Sequence, residues 1–463
     1  MRWRRVVRPA MVVSAGMGML SAGAFLTARA DTAGCASTVC VSVDSSQTIE
    51  PADHQASGIL HSSNGSPTDT ALLAGLDVSM WRSSTDDWAG SASPWNSAVT
   101  DHIPVTFLLS DKWLQDTNGG QVTPWSDWNG YRQWVISSVQ KIGAMGIWVD
   151  YWEVYNEPDG LPPTEAATVT PGRLLTQFLV AYDAIRSVIP NAAIIGPSTS
   201  GWIERPTSHS FSIQQFLDFA DANGLTLTAL AWHYNAGNPQ GIEREVAEAR
   251  SLIAARPGLG NPKIFINEYG TEQTQRIAGW DVQYLAAMTN AKVDSAGRSC
   301  WEQDCIHPVL DGLLATDGRS TLPDYWIRAI YAQMTGEMVA TSSSFNRVGV
   351  IASVNLAQSE MRILLGYGQG CIQDPRCLIS TPWAIPSLPV PVKLTVSVPW
   401  ASGNVLVTET RVPGAAITPI PQPASKYLAT YPITNQLGKS LVTINLGQIQ
   451  DGQALSLVFS HSG

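Results

Sequence analysis

Two glutamates stand at the ends of apolar runs, where a buried strand would deliver a carboxylate to an accessible edge. Glu157 closes the run that begins at Trp152, and Pro158 prevents the strand from continuing beyond it. Glu268 closes a second apolar run, which begins at Lys263. Cleavage of a glycosidic bond needs two such groups, because one carboxyl protonates the leaving oxygen while an ionised carboxylate attacks the anomeric carbon. The pair therefore predicts acid/base and nucleophilic chemistry on a sugar.

Other groups that could carry chemistry rank below this pair. Glu153 lies within the first run, where we expect a buried structural acid, and Glu272 lies beyond the turn at Gly270. No His/Asp cluster has metal-ligand spacing, and the Gly-Leu-Gly segment at 258–260 lacks the strand-turn-helix context of a nucleotide loop. We therefore expect neither a cofactor nor a metal.

The elements that would position the two glutamates are short apolar runs that alternate with amphipathic helical stretches from residue 55 to residue 340. Such alternation is typical of parallel strands with helical crossovers, and the length fits a (β/α)8 TIM barrel. The candidate strands are 58–61, 77–82, 105–109, 148–155, 192–196, 225–233 and 264–268, with an eighth near 298–301. The candidate helices are 130–145, 174–189, 211–222, 242–255 and 325–334. The two glutamates would end strands four and seven, at the C-terminal face where barrel enzymes carry their active sites.

Residues 341–463 have a different pattern, in which alternating or apolar runs are separated by Gly, Pro and Ser. Helical periodicity is absent there, so we predict an all-β sandwich domain. Its strands are expected at 348–354, 361–366, 392–398, 405–410, 441–446 and 454–459. The Pro-rich stretches 382–391 and 413–423 would be loops. The extension at 31–54 is a candidate further part of this sandwich.

Residues 1–30 are predicted to be an export signal that takes no part in the fold. Arginines stand at positions 2, 4, 5 and 8, an apolar stretch of small residues follows from 10 to 27, and Ala28-Arg29-Ala30 matches a cleavage site. A membrane anchor is the alternative interpretation, and the pair Arg4-Arg5 leaves twin-arginine export open. No later stretch resembles a transmembrane helix. We therefore expect a secreted, extracellular protein without a membrane span.

All six cysteines follow this segment, and an oxidising compartment would favour disulfides between neighbours. We expect three short loops, closed by the pairs Cys35–Cys40, Cys300–Cys305 and Cys371–Cys377. A zinc site built from four of these cysteines is the alternative, although the spacings are not the usual C-x2-C pairs.

The composition argues against a nucleic-acid partner and provides many aromatic side chains. The chain carries a formal net charge of −10, and no Lys/Arg-rich run exists outside the N-terminus. Among its 17 tryptophans, a group crowds the loops expected after strands two and three: Trp81, Trp88, Trp95, Trp113, Trp125 and Trp128. These rings would either pack long loops or stack on sugar faces.

The motifs resemble those of the clan A glycoside hydrolases, and within the clan the layout is most similar to family 39. The resemblance rests on Asn156-Glu157-Pro158 after strand four and on Glu268 at the end of strand seven. His61 and Arg82 lie where the family has a histidine after strand one and an arginine after strand two. The run 312–326 is similar to the family's passage from strand eight into helix eight. The resemblance covers most of residues 55–460.

The resemblance implies a role for each matching residue. Glu157 would be the general acid/base and Glu268 the nucleophile. Arg82 would lie beside Glu268 and hold it ionised, and Asn156 would bind the sugar 2-hydroxyl. The remaining expected substrate contacts are His61, His233, Tyr234 and Trp301.

The segment after strand six departs from the clan pattern. The clan commonly has His-x-Tyr, whereas here His233 is directly followed by Tyr234. Tyr234 is therefore the candidate for the tyrosine that contacts the nucleophile. For His61 and His233 the alternative interpretation is a polar group satisfied near the core.

The sequence thus predicts a secreted retaining glycoside hydrolase that cleaves an O-glycosidic bond in an oligo- or polysaccharide by double displacement. One alternative is a non-catalytic glycan-binding protein on the same fold, which the presence of both glutamates disfavours. The other is a structural cell-surface protein, for which repeats, a sorting signal or an anchor would be expected. The sugar, the linkage, exo or endo action and the oligomeric state are left open.

Overall fold

The computed structural model describes residues 35, 37–60, 71–84, 98, 102–109, 123–160, 168–300, 310–369, 387–414 and 418–462. Its first nine strands are β1 (Val39–Pro51), β2 (Gly58–Ile59), β3 (Trp81–Ser84), β4 (Val105–Leu108), β5 (Tyr151–Glu153), β6 (Ile194–Thr199), β7 (Ala229–Tyr234), β8 (Lys263–Tyr269) and β9 (Ser295–Arg298). The strands β2 to β9 form a closed barrel. Each barrel strand pairs in parallel with the next, and β2 pairs with β9. The predicted (β/α)8 barrel is confirmed.

The helices of the described part are α1 (Trp128–Ala144), α2 (Pro171–Val188), α3 (Ile213–Ala222), α4 (Gly241–Ala254), α5 (Ala278–Ala291) and α6 (Pro323–Tyr331). Local sequence explains where several begin. The Asp127 side chain accepts the Gly130 N–H at the start of α1, and α2 has Pro171 in its first turn. Ser212 and Gln215 form a reciprocal capping box at the start of α3.

The barrel interior is divided into an apolar layer and a polar layer. The apolar layer is a buried cluster that consists of Met80, Ile195, Ala229, Ala231 and Phe265. Toward the C-terminal ends of the strands, buried polar side chains replace it, among them Glu153, His233 and Asn267. Buried polar groups are costly unless they are hydrogen-bonded, so this layer is where a functional site is to be sought.

The eighth barrel strand, β9, lies at Ser295–Arg298, so it overlaps the predicted 298–301 at one residue only. Its residues Ser-Ala-Gly-Arg include little apolar surface, so hydropathy does not indicate a strand there. Gly297 is required there, because a Cβ would come within 3.0 Å of the Asn267 carbonyl oxygen and nearer still to Met80.

A second sheet contains ten strands in the order β15-β14-β18-β12-β11-β10-β1-β13-β17-β16. Beyond β1, its strands are β10 (Glu337–Ser343), β11 (Val348–Asn355), β12 (Glu360–Tyr367), β13 (Val390–Ser397), β14 (Asn404–Val412), β15 (Ser425–Pro432), β16 (Thr434–Gln436), β17 (Lys439–Ile449) and β18 (Ala454–Ser462). We call this sheet the β-domain. It surrounds one apolar core, and the predicted all-β C-terminal domain is confirmed. Strand β1 enters from the N-terminal extension, antiparallel to β10 and parallel to β13.

Helix α5 joins the barrel to the β-domain. It packs against β11 and β12 as well as against the neighbouring helices, and its residues 278–289 are all buried. Gly279 allows the closest approach, because a Cβ there would lie 2.0 Å from the Tyr367 carbonyl oxygen. The Gly279 N–H donates to the Gly452 carbonyl at 2.7 Å. The β-domain therefore covers a helix that would otherwise present apolar surface to water.

Of the predicted disulfides, Cys35–Cys40 is confirmed, with its Cα atoms 5.8 Å apart. Cys300 is also disulfide-bonded. Its expected partner Cys305 and the pair Cys371–Cys377 lie outside the described residues. Over the described part of the chain, no helix has the length and apolar character to cross a membrane.

Candidate active site

Four barrel strands deliver polar side chains to one end of the barrel. Arg82 lies in β3, His233 lies in β7, Glu268 lies in β8, and Glu157 follows β5. All four lie at or near the C-terminal ends of parallel strands, as the sequence predicted for the two glutamates. His61 and Trp301 lie outside the described residues.

The two glutamates meet at His233. The His233 Nδ1 lies 2.8 Å from Glu157 Oε1 and 3.5 Å from Glu268 Oε2. One carboxylate oxygen of each glutamate and one ring nitrogen of His233 all lie within 4.8 Å of one another. Because both partners of Nδ1 are carboxylates, which accept hydrogen bonds when ionised, Nδ1 must carry the proton. His233 is completely buried, so its ring is fixed between the two acids.

A single guanidinium organises the other side of Glu268. Arg82 Nη1 donates to Glu268 Oε2 at 3.2 Å, and Nη2 donates to Asn156 Oδ1 at 2.7 Å. The same side chain donates to both carboxylate oxygens of the fully buried Glu153, at 2.7 and 3.0 Å. Arg82 therefore orients the proposed nucleophile and the Asn156 amide together, and Glu153 balances its charge.

Two residues of this site were not identified from the sequence. Asn267 Nδ2 donates to Glu153 Oε1 at 2.5 Å and to Ser198 Oγ at 2.9 Å, close to the two candidate glutamates. The Ser198 carbonyl in turn accepts the Glu157 backbone N–H at 2.9 Å. Neither residue belongs to a recognised motif. The only sequence signal is a polar residue inside an otherwise apolar strand run, as in Ile266-Asn267-Glu268.

Glu157 has a left-handed backbone conformation, with φ +46°. A non-glycine residue in this region is uncommon and needs support from its surroundings. Besides the Ser198 carbonyl, the support comes from Asp159, whose carboxylate accepts both the N–H of Ser200, at 2.9 Å, and its hydroxyl. These contacts fix the loop after β5 to the loop after β6.

The hydrogen bond from His233 is the largest influence on the titration of Glu157. This bond lowers the pKa of the Glu157 carboxyl below its usual value, while partial burial opposes the shift and the Arg82 charge adds to it. These contacts favour an ionised Glu157, which is the form that a general base needs. A saccharide bound over the Glu157 side chain would remove water from it, and this desolvation would raise the pKa of its carboxyl.

Tyr234 is not brought to the carboxylates. Along β7, Ala229, Ala231 and His233 face the barrel interior, so the next residue faces outward, by strand alternation. The Tyr234 hydroxyl donates to the Asn238 carbonyl, and a Cβ on Gly241 at the start of α4 would collide with that hydroxyl. The expectation that Tyr234 contacts the nucleophile is therefore corrected: Tyr234 packs against the helix layer.

The remaining candidates separate into core and surface. Trp81 is completely buried, which excludes it as a sugar platform. Trp125 and Trp128 are partly buried before and at the start of α1, and Arg173 lies over the Trp125 ring at 5.8 Å. Trp88, Trp95 and Trp113 lie outside the described residues. Glu272 is exposed in the turn after β8, whereas Glu153 is buried beneath the site.

The trio Glu157, His233 and Glu268 is compact enough to be considered as a cation site. However, the oxygen of Glu268 that faces the histidine is the one that accepts from Arg82. A fixed guanidinium charge 3.2 Å from a prospective ligand atom opposes a divalent cation. The donor set therefore fits proton transfer better than metal binding.

Neither a protein-family model nor a curated protein matches the sequence. Among solved structures, the chain is similar to N2152 from Neocallimastix frontalis, with TM-score 0.72 and 21% identity over 92% of this chain and 100% of that one. It is also similar to a glucosidase from Croceicoccus marinus, with TM-score 0.62 and 14% identity over the same shares. A monomeric beta-xylosidase from Caulobacter crescentus aligns with TM-score 0.59 and 13% identity, again over 92% and 100%. The chain therefore shares its fold with proteins that include a glucosidase and a xylosidase.

Proposed function

We propose that this protein is a retaining O-glycoside hydrolase, with Glu157 as acid/base and Glu268 as nucleophile. The supporting observation is the carboxylate pair at the C-terminal face of the barrel, with one oxygen of each within 4.8 Å of the other. Retaining enzymes hold their carboxyls about 5–5.5 Å apart, whereas inverting enzymes leave about 6.5–9.5 Å for a water. The short separation fits direct attack by a carboxylate on the anomeric carbon.

In the first step, a Glu268 oxygen forms a bond to the anomeric carbon as the bond from that carbon to the leaving oxygen breaks. The leaving oxygen takes the proton of Glu157, which becomes a carboxylate. In the second step, Glu157 accepts a proton from water as the water oxygen bonds to the anomeric carbon. The bond from the anomeric carbon to the Glu268 oxygen breaks in the same displacement, and both carboxyls return to their starting states.

The neighbouring side chains have separate tasks in this scheme. Arg82 donates to Glu268 and orients it, and it also donates to Asn156 Oδ1, so that the amide is oriented for the sugar 2-hydroxyl. His233 donates to Glu157, which stabilises the carboxylate that remains after the first step. His61 and Trp301 stay predicted substrate contacts. No step needs a cofactor.

The similar structures support a proposal for the substrate class. They include a glucosidase, a beta-xylosidase and a bifunctional glucanase-xylanase, which together support a glucan or a xylan, or their oligosaccharides, as the substrate. Membership of family 39 within clan A stays a prediction from the motifs, and secretion stays a prediction from residues 1–30 and is compatible with the Cys35–Cys40 disulfide.

A panel of aryl glycosides tests this proposal. Wild-type protein should hydrolyse an aryl β-xyloside or β-glucoside, with aryl arabinosides and galactosides as comparisons. Glu268→Gln keeps the shape of the side chain but removes the nucleophile, so turnover should fall to background. Binding of an oligosaccharide by wild type without turnover of any member of the panel would instead favour the non-catalytic glycan-binding alternative.

A further inference from the structure

Asn267 lies at an irregularity of the barrel. Along β7 and β8, Trp232 pairs with Ile266 but His233 pairs with Glu268, so β8 contains one extra residue. The same shift recurs against β9. Because the extra residue interrupts strand alternation, Asn267 and Glu268 both face the interior, and Tyr269 faces outward to its contact with Tyr284.

Ser198 lies at a second irregularity, on β6. Pro197 pairs with Ala231 and Thr199 with Trp232, so Ser198 is the extra residue, and its φ is +50°. Two bulges thus flank β7, and the bond from Asn267 Nδ2 to Ser198 Oγ joins them across the barrel interior at 2.9 Å. Bulges next to active sites re-aim side chains that a regular strand would point elsewhere.

Each bond of the Asn267 amide leads to one of the two proposed catalytic acids. Through Ser198, it reaches the carbonyl that accepts the Glu157 N–H. Through Glu153, it reaches Arg82 and so Glu268. The amide orientation is fixed by chemistry, because the reverse orientation would place Oδ1 against the Glu153 carboxylate. Asn267 is completely buried, so water cannot substitute for these bonds from outside.

We infer that Asn267 is a positioning residue that sets the separation of Glu157 and Glu268 by tying the two bulges together. In the described structure, its amide makes hydrogen bonds to Glu153 and Ser198 and not to the side chain of Glu157 or Glu268. Its catalytic consequence rests on the proposed function, but its effect on the geometry does not. A displacement of about 1 Å in such a pair can cost about 10²-fold in rate.

The test uses Asn267→Leu, which keeps the size of the side chain and removes both donors, and Ser198→Ala, which removes only the bond between the bulges. Thr106→Val is the matched control, because Thr106 is equally buried inside the barrel and its hydroxyl has no partner in the described part of the chain. Crystal structures of the full-length proteins give the distance between the carboxyl groups. Titration with a slow fluorinated glycoside counts active sites, so that rates are expressed per competent molecule.

We expect the carboxyl separation to change in Asn267→Leu and Ser198→Ala and to stay at its wild-type value in Thr106→Val. We expect kcat per active site to fall about 10- to 100-fold in Asn267→Leu, less in Ser198→Ala, and little in the control. The loss should grow with the pKa of the leaving group, because Glu157 is displaced from the leaving oxygen. Unmoved carboxyls, or unchanged kcat per site with only a lower Tm, would overturn the inference. If the carboxyl separation changes in the variants but the wild-type protein hydrolyses no glycoside, the proposed function is wrong and the positioning role of Asn267 stands.

Discussion

At the scale of single residues, one histidine proton faces two acids. His233 Nδ1 lies closer to Glu157 than to Glu268, so the proton is directed mainly at the proposed acid/base. The hydrogen bond lowers the pKa of Glu157. A general acid acts while protonated, so its activity is lost as pH rises through its pKa. His233 therefore influences where the alkaline limb of the pH profile falls.

Replacing His233 with phenylalanine should move that limb to higher pH. The apolar ring removes the donor and adds to desolvation, and both changes raise the pKa of Glu157. The measurement is kcat/KM against pH for wild type and His233→Phe, with Glu157→Gln as a control in which the limb should be absent. A limb that stays in place, or that moves to lower pH, would contradict the role of the histidine.

At the scale of elements, the strand ends were predictable but their irregularities were not. The apolar runs that end at Glu157 and Glu268 predict two barrel strands. The resemblance to family 39 also identified Arg82, which lies in β3. The bulges at Ser198 and Asn267 leave no trace in hydropathy, because they become visible only when one strand is paired with its neighbours. For the same reason, Asn267 and Ser198 were not identified as site residues from the sequence.

The contact between the loops after β5 and β6 leads to a second prediction. Ser200→Ala removes the hydroxyl donor to Asp159 but keeps the backbone N–H bond. The support for the left-handed Glu157 is weakened, so kcat/KM should fall about 10-fold for a sugar leaving group, as a part of the general-acid contribution. Activated aryl substrates hardly need the proton, and their kcat/KM should change little.

The matched control for this change is Ser187→Ala, since the Ser187 hydroxyl lies in α2 and bonds only to the nearby Ala184 carbonyl among the described contacts. This control should affect neither substrate type. Equal losses of kcat/KM on sugar and aryl leaving groups in Ser200→Ala would indicate general damage to the site and not a displaced acid.

At the scale of the whole molecule, the barrel and the β-domain share helix α5. This helix was not predicted from the sequence, because it is buried on all sides from residue 278 to residue 289 and therefore shows no amphipathic period. Six strands of the β-domain, in contrast, alternate around one core and were predicted at nearly their observed positions, namely β11, β12, β13, β14, β17 and β18. Strands β10 and β16 were not predicted. Edge strand β15 was missed because its side chains are largely exposed and carry no alternation.

Gly279→Ala should therefore destabilise the whole protein. A methyl group there meets the Tyr367 carbonyl backbone at 2.0 Å, and backbone atoms on both sides cannot move without separating the domains. We expect a loss of about 1–3 kcal/mol in the free energy of unfolding, measured by thermal or denaturant unfolding. Gly143→Ala, in the open part of α1, is the control and should stabilise by about 0.5–1 kcal/mol. Equal effects of the two substitutions would mean that the contact through α5 does not hold the domains together.

The most direct test of the central claim is to trap the glycosyl-enzyme and to locate it. Wild-type protein is treated with a 2-deoxy-2-fluoro glycoside of the sugar that it cleaves best, carrying an activated leaving group, and the labelled peptide is sequenced by mass spectrometry. Double displacement predicts one sugar per chain, as an ester on Glu268, with no label on Glu268→Gln. A label on Glu157 or Glu272, or a first-formed product of inverted configuration with no label at all, would contradict the account.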